Sequence, residues 1–259
     1  MISTINKFFI ICSISISLVL GQELSALEIM ERVMTNPKPS SSITEINLEI
    51  IRYKRGKEKV KIREFTRFQK NYLTGKYKSK SLVRFKKPIT IKGTGLLSWV
   101  HRNGKTDQWF FLPTLKTAKR VKAKEMSKSF MGTDFIYEDF ESRKIENDSL
   151  ALIGIEYVNG QHIYVVMASP KMSSAYHMRK IWVNSLDWQI IKIEFFSSEF
   201  QKEKTLLISD FKMKNGFLIP GKMVMEKDNG NKTIMKFKNY QPNVGLKDDI
   251  FSESFLIKF

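Results

Sequence analysis

The sequence predicts a mainly β protein, an antiparallel barrel or a strongly curved single sheet, preceded by one helix. Three observations predict it. The apolar period changes from helical to two at Ile43. Asn-Gly pairs then separate successive alternating runs, and both central positions of a type I′ hairpin turn need positive φ. The runs follow one another after short turns without intervening helices, which argues against a parallel α/β sheet.

The elements follow in order. Residues Met1 to Gly21 read as a secretory signal, with Lys7 as the basic start, an apolar or small run from Phe8 to Leu20, and Val19 and Gly21 before the cleavage point. The alternative is an uncleaved anchor, for which the run is short. Leu24 to Met34 places Leu24, Leu27, Met30 and Val33 or Met34 on one helical face, Ser25 with Glu28 forms a capping-box pattern, and Asn36-Pro37 ends the helix. Ile46, Leu48 and Ile50 alternate with polar residues, as do Val60 and Ile62, so both stretches read as half-buried strands. Asn103-Gly104, Asn159-Gly160, Asn215-Gly216 and Asn229-Gly230 mark hairpins, and Ser185-Leu186 joins two further strands. Pro113 to Phe140 is neither cleanly alternating nor helical and reads as a long connection with a short helical turn lying against the sheet. Phe251 to Phe259 is read as a final apolar strand. Residues 22–259 are therefore expected to form a single domain.

Composition narrows the function. The 259 residues carry 44 Lys+Arg against 26 Asp+Glu, a formal charge of +18, and cleavage would remove only Lys7 and leave +17. A basic balance fits nucleic acid, a membrane surface or an acidic partner, or reflects lysine-rich coding alone. Export argues against nucleic acid. Cys12, the only cysteine, lies inside the apolar run, which excludes a disulfide framework and gives no lipid-attachment cysteine at the cleavage point. The twelve methionines and nineteen phenylalanines suit an adaptable apolar surface.

Motifs for chemistry are sparse. Gly93-Thr94-Gly95 lacks the rest of a dinucleotide loop, and no phosphate loop, nucleophile elbow or His-Glu-x-x-His occurs. His101, His162 and His177 have no ligand-like spacing. Neither a metal nor another cofactor is expected. Asp134, Glu138 and Asp139 are the densest carboxylates; they read as turn caps or as partners of the preceding basic run, with acid–base work as the rival.

The central segment carries a recognisable pattern. It comprises Val83-Arg84-Phe85, Pro88, Ile91 through Trp99 with Gly93 and Gly95, Gln108 through Pro113 with Trp109, and Lys116 with Lys119-Arg120-Val121. It continues through Ser129-Phe130-Met131-Gly132-Thr133-Asp134-Phe135 and Tyr137-Glu138-Asp139. These residues resemble the LolA-like family of outer-membrane lipoprotein-sorting proteins, in a longer, largely uncharacterised branch. The resemblance implies a mainly β fold of the LolA/LolB type: a half-open antiparallel β-barrel or curved sheet with an N-terminal helix and a helical lid. It also implies a periplasmic, non-enzymatic, monomeric carrier of lipid or acylated lipoprotein, with an inner-membrane RND-type exporter as a possible partner.

The expected function is therefore acyl-chain binding in an apolar cavity and transfer toward the outer membrane. The alternative is an accessory binding subunit of an envelope exporter; an envelope hydrolase using Asp134 and Glu138 ranks third. Trp99, Phe110, Leu112, Phe130, Met131 and Phe135 are the candidate cavity residues, with ordinary core packing as the rival role. Lys116, Lys119, Arg120, Lys122 and Lys124 are candidates for transient docking on anionic headgroups.

Overall fold

A computed structural model describes residues 24–122, 125–140 and 145–258. The secretory-signal reading, Lys124 and Phe259 lie outside the described residues. The first helix, α1 (Ala26–Thr35), begins at Ser25, whose side chain accepts from the Glu28 amide while the Glu28 carboxylate accepts from Ser25 N, so the capping box is complete.

Strands β1 (Ser41–Lys54), β2 (Lys57–Asn71), β3 (Tyr77–Lys87), β4 (Gly95–His101), β5 (Thr106–Leu112) and β6 (Thr117–Arg120) form one antiparallel meander. After the connection, β7 (Asp148–Val158), β8 (Gln161–Pro170), β9 (Met178–Asn184), β10 (Ile190–Phe196) and β11 (Lys202–Ser209) form a second. Strands β12 (Lys212–Lys214) and β13 (Phe217–Ile219) make a separate two-stranded hairpin. Strands β14 (Lys222–Lys227) and β15 (Lys232–Pro242) then join the two meanders, because β15 pairs with β1 and β14 with β11. The described residues give one 13-stranded sheet in the order β6-β5-β4-β3-β2-β1-β15-β14-β11-β10-β9-β8-β7.

The four Asn-Gly pairs all fall between strands; two have positive φ at both positions, while at 103–104 and 229–230 only the glycine does. Asn159 and Gly160 have φ of 50° and 80° between β7 and β8, and Asn215 and Gly216 have 50° and 82° between β12 and β13. Arg55-Gly56 makes an equivalent turn between β1 and β2.

The sheet is curved but open. Leu96 of β4 and Phe195 of β10 share one apolar cluster, although seven strand steps separate them in the sheet. A flat sheet would hold them on the order of 34 Å apart at about 4.8 Å per step. The face they share is therefore concave. Of the expected forms, the curved open sheet is the one found and no barrel closes: β6 and β7 are the two ends of the strand order. Nor is a helical lid present among the described residues. The connection after β6 carries 3-10 turns at Tyr137–Phe140 and Ile145–Asn147 instead. Positive φ at Met131 and Gly132, and side chains such as Thr133 that bond the local backbone, oppose a continuous helix there.

Two further expectations change. Val60 and Ile62 are 47% and 60% exposed, because β3 pairs with β2 only from Glu64 onward and leaves the hairpin tip with one strand neighbour. The chain end is not a strand: a 3-10 turn (Asp248–Phe251) leads into α2 (Glu253–Leu256), capped by Ser252, whose Oγ accepts from Phe255 N. This end packs Phe251 and Leu256 against Leu82, Leu97, Trp109 and Phe111 on the convex side.

Candidate functional site

The concave face is apolar where β1, β2 and β3 run beneath the connection. Ile46, Leu48, Ile50, Phe65 and Phe85 are buried there with Leu206, Met225 and Met235 from the other half of the sheet. The period-two pattern of β1 produces this directly, since alternate residues share a face. At the far end α1 packs Ala26 and Ile29 against Val166, Ala168, Ile181 and Val183.

The connection 126–140 lies on the apolar middle. Phe130 is 1% exposed and Phe135 is likewise buried, both in the cluster of Ile46, Phe85 and Phe195. Phe130 meets Phe85, Tyr137 and Phe140 with ring centroids 6.3, 5.6 and 4.9 Å away. A compact turn shapes this plug. Phe130 N donates to Phe135 O (2.8 Å) and Thr133 Oγ1 to Phe130 O (2.6 Å).

Three carboxylates tie the plug to the sheet. Arg52 of β1 donates from Nη1 to Asp134 Oδ2 (2.8 Å) and from Nη2 to Gly132 O (2.8 Å). Thr233 of β15 donates to the same Asp134 oxygen (2.7 Å), and Arg63 donates to Met131 O. Arg179 of β9 donates to Glu138 Oε1 (2.8 Å), as does Ser174 (2.5 Å), while Ala175 N donates to Oε2 (2.7 Å). Lys204 of β11 donates to Asp139 Oδ2 (2.9 Å) and to Asp134 O (2.9 Å), and Tyr176 donates to Asp139 Oδ1 (2.7 Å). Among the described residues, the carboxylates thus bind cations from three strands of the sheet.

Electrostatics follow the geometry. Burial pushes the Glu138 carboxyl up, but Ser174, the Ala175 amide and the Arg179 charge outweigh it and hold it below the usual value. Burial lowers the Lys204 ammonium, with Asp139 opposing. Burial and then the Asp139 charge raise the Tyr176 phenol.

The candidate cavity residues divide. Phe130, Met131 and Phe135 belong to the plug, and Phe110 packs against the same cluster from β5. Leu112 shares a strand face with Phe110 and is half-buried. Trp99 sits on the opposite face with Trp109, at 4.6 Å between centroids, and its Nε1 donates to Phe251 O (2.8 Å).

The candidate docking residues also divide. Lys119 pairs with Phe110 and Arg120 with Trp109, so the two project to opposite faces of the edge strand. Arg120 bonds Asp107, and Lys116, Lys119 and Lys122 are exposed.

The remaining motif residues hold the chain end. A Cβ on Gly95 would lie 2.7 Å from Leu256 Cδ1, and Arg84 donates to the carbonyls of Gly93, Leu256 and Phe255. Pro113 opens a 3-10 turn that ends at Lys116, with φ of 52°. Two open concavities of about 480 and 460 Å³ lie between residues 170–177 and 197–203, beside the Ser174, Ala175 and Tyr176 contacts of the plug, and on β10, β11 and β14.

A family described as an uncharacterised protein matches residues 77–258. A domain from Vibrio parahaemolyticus described as outer membrane lipoprotein-sorting superposes with a TM-score of 0.82 at 26% identity, covering 90% of this chain and 98% of that one. A DUF1329 family protein from Desulfovibrio piger also scores 0.82, at 25% identity and with 89% and 97% covered. The chain belongs to that uncharacterised family, and its fold is LolA-like. A LolA superfamily protein from Nitrosomonas europaea shares the fold at 18% identity, with a TM-score of 0.69 and 90% and 99% covered. No curated protein matches the sequence. For a LolA-like chain, the sequence had marked the plug motif but not its cations, because Arg52, Arg179 and Lys204 stand 82, 41 and 65 positions from their carboxylates. Buried carboxylates call for cations, but nothing local selects which ones.

Proposed function

We propose that this LolA-like protein is a non-enzymatic periplasmic carrier that holds lipid or lipoprotein acyl chains on its concave face for transfer toward the outer membrane. One observation carries the reading. The apolar face is covered by a plug that inserts large side chains and is tied to the sheet by ion pairs, on the fold of a lipoprotein-sorting domain. An acyl chain of about 15 methylenes costs on the order of 12 kcal/mol to hold in water, at about 0.8 kcal/mol per group. A carrier offsets that cost only with an apolar surface of its own. Phe130 and Phe135 occupy the place such a chain takes, with Phe110 beside them, so loading displaces the plug. Asp134, Glu138 and Asp139 serve as anchors for the plug, which supports binding rather than catalysis.

The exposed lysines of the β6 edge supply the contact with anionic membranes, at about 1 kcal/mol per cation near the surface. Replacing Lys119, Arg120 and Lys122 by Glu is expected to weaken binding to anionic vesicles; unchanged binding removes this part of the reading.

The deciding experiment is native mass spectrometry of the purified protein with identification of extracted ligands. A stoichiometric lipid or acylated peptide supports the carrier. A bare protein that takes up no acyl probe overturns it in favour of an accessory subunit, with an RND-type exporter as the partner to test.

A further inference from the structure

The concave face changes character along its strands. Beneath the plug, the paired residues Phe65 and Phe85 lie beside Ile46, a fully apolar row. Two steps toward the start of β1, Thr44, Arg67, Val83, Leu96 and Phe110 stand in register. Two steps further, Ser42, Gln69, Ser81, Ser98 and Gln108 stand in register across five strands, and every one is polar. All three rows share one face, because side chains alternate and each row is an even number of residues from the next. The polar row lies on the order of 14 Å from the apolar one, at about 3.4 Å per residue.

Two side chains mark the polar end. Gln108 is 2% exposed, yet neither its Nε2 nor its Oε1 has a hydrogen-bond partner there. Buried amides are nearly always satisfied. Arg67 makes no ion pair among the described residues, although its register neighbours Thr44 and Val83 are buried and half-buried. The residue is exposed, yet the protein around it lowers its pKa by desolvation, with Tyr240 opposing. Guanidinium, hydroxyl and amide groups in two adjacent rows are the donors that carboxylate and phosphate oxygens require.

The structure assigns Arg67 and the polar row through Ser81, Ser98 and Gln108 to an oxyanion subsite that takes a carboxylate or phosphate group. Resting on the carrier reading, the subsite selects amphiphiles with an anionic head: the chain lies on the Ile46–Phe65–Phe85 row and the head reaches Arg67.

The test measures binding of dodecyl phosphate, dodecyl maltoside and inorganic phosphate by calorimetry. The chain is expressed with its own N-terminal segment and purified as the cell processes it. Dodecyl phosphate is expected to bind at least about tenfold tighter than dodecyl maltoside, the worth of one charge-assisted hydrogen bond. Arg67→Ala removes that preference with maltoside affinity unchanged, and Arg67→Lys retains part of it. Gln108→Leu, which leaves no buried amide, weakens phosphate binding alone. Inorganic phosphate that binds by itself, and through Arg67, keeps the subsite and makes free anion its source. If neither amphiphile binds but phosphate still does so through Arg67, the carrier reading fails and the subsite stands. Equal affinities for the two amphiphiles, or a preference that survives Arg67→Ala in a variant of unchanged melting temperature, overturn the subsite.

Discussion

Glu138 shows how single residues set the state of this molecule. Its side chain and that of Arg179 are 6% and 8% exposed, so the pair has little water to fall back on. Removing one member leaves the other charged and buried, which costs about 3–5 kcal/mol. Arg179→Ala is expected to lower the unfolding free energy by that amount, read from urea denaturation. The pH dependence has a definite sign. The folded pKa of Glu138 lies below its unfolded value of about 4.3. Its stabilisation is thus complete above that value and is lost as pH falls through the folded pKa. The wild-type melting temperature should drop across that acidic window more steeply than that of Glu138→Gln.

Elements reveal what local rules decide. The capping box of α1 is written in Ser25 and Glu28, three residues apart, and Ser25→Ala should cost about 1 kcal/mol in denaturant unfolding. The Asn-Gly hairpins were legible because positive φ is a demand of the turn itself. The chain end was not legible as a helix. Phe251, Phe255 and Leu256 form an apolar stretch with no clean period, and only the convex surface of β2 to β5 selects the helical turn that inserts Phe251 and Leu256. Leu256→Ala is expected to destabilise by about 2–5 kcal/mol. Gly95→Ala should cost about 1–3 kcal/mol by pressing on the same leucine, and less in a Leu256→Ala background. Denaturation of the two single variants and the double variant gives that coupling.

Across the whole molecule, the plug and a bound acyl chain compete for one surface. Phe130→Ala and Phe135→Ala should each lower stability by about 3–5 kcal/mol, the usual cost of emptying a buried aromatic site. Both should raise affinity for a fluorescent acyl probe, because the space they free is apolar. Loss of probe affinity in both stably folded variants would show that the aromatic rings serve the ligand and are not rivals to it. In the wild type, probe binding should speed hydrogen exchange at Phe130 and Thr133, whose amides are bonded within the plug.

The sequence by itself determined the helix, the antiparallel strands, most of their turns and the motif that became the plug. Each depends on neighbours a few residues apart: a 3.6 or 2.0 period, a cap, a positive φ. Tertiary structure alone decided that the sheet stays open between β6 and β7 and that the cover is an irregular loop. It also decided which face each aromatic residue serves. Trp109 and Phe110 are adjacent in the chain and lie on opposite sides of the sheet, one under the chain end and one facing the plug. The polar row from Ser42 to Gln108 likewise exists only through the register of five strands. Strand pairing and ion pairing join residues far apart in the chain, and a local pattern states that such partners are needed without naming them.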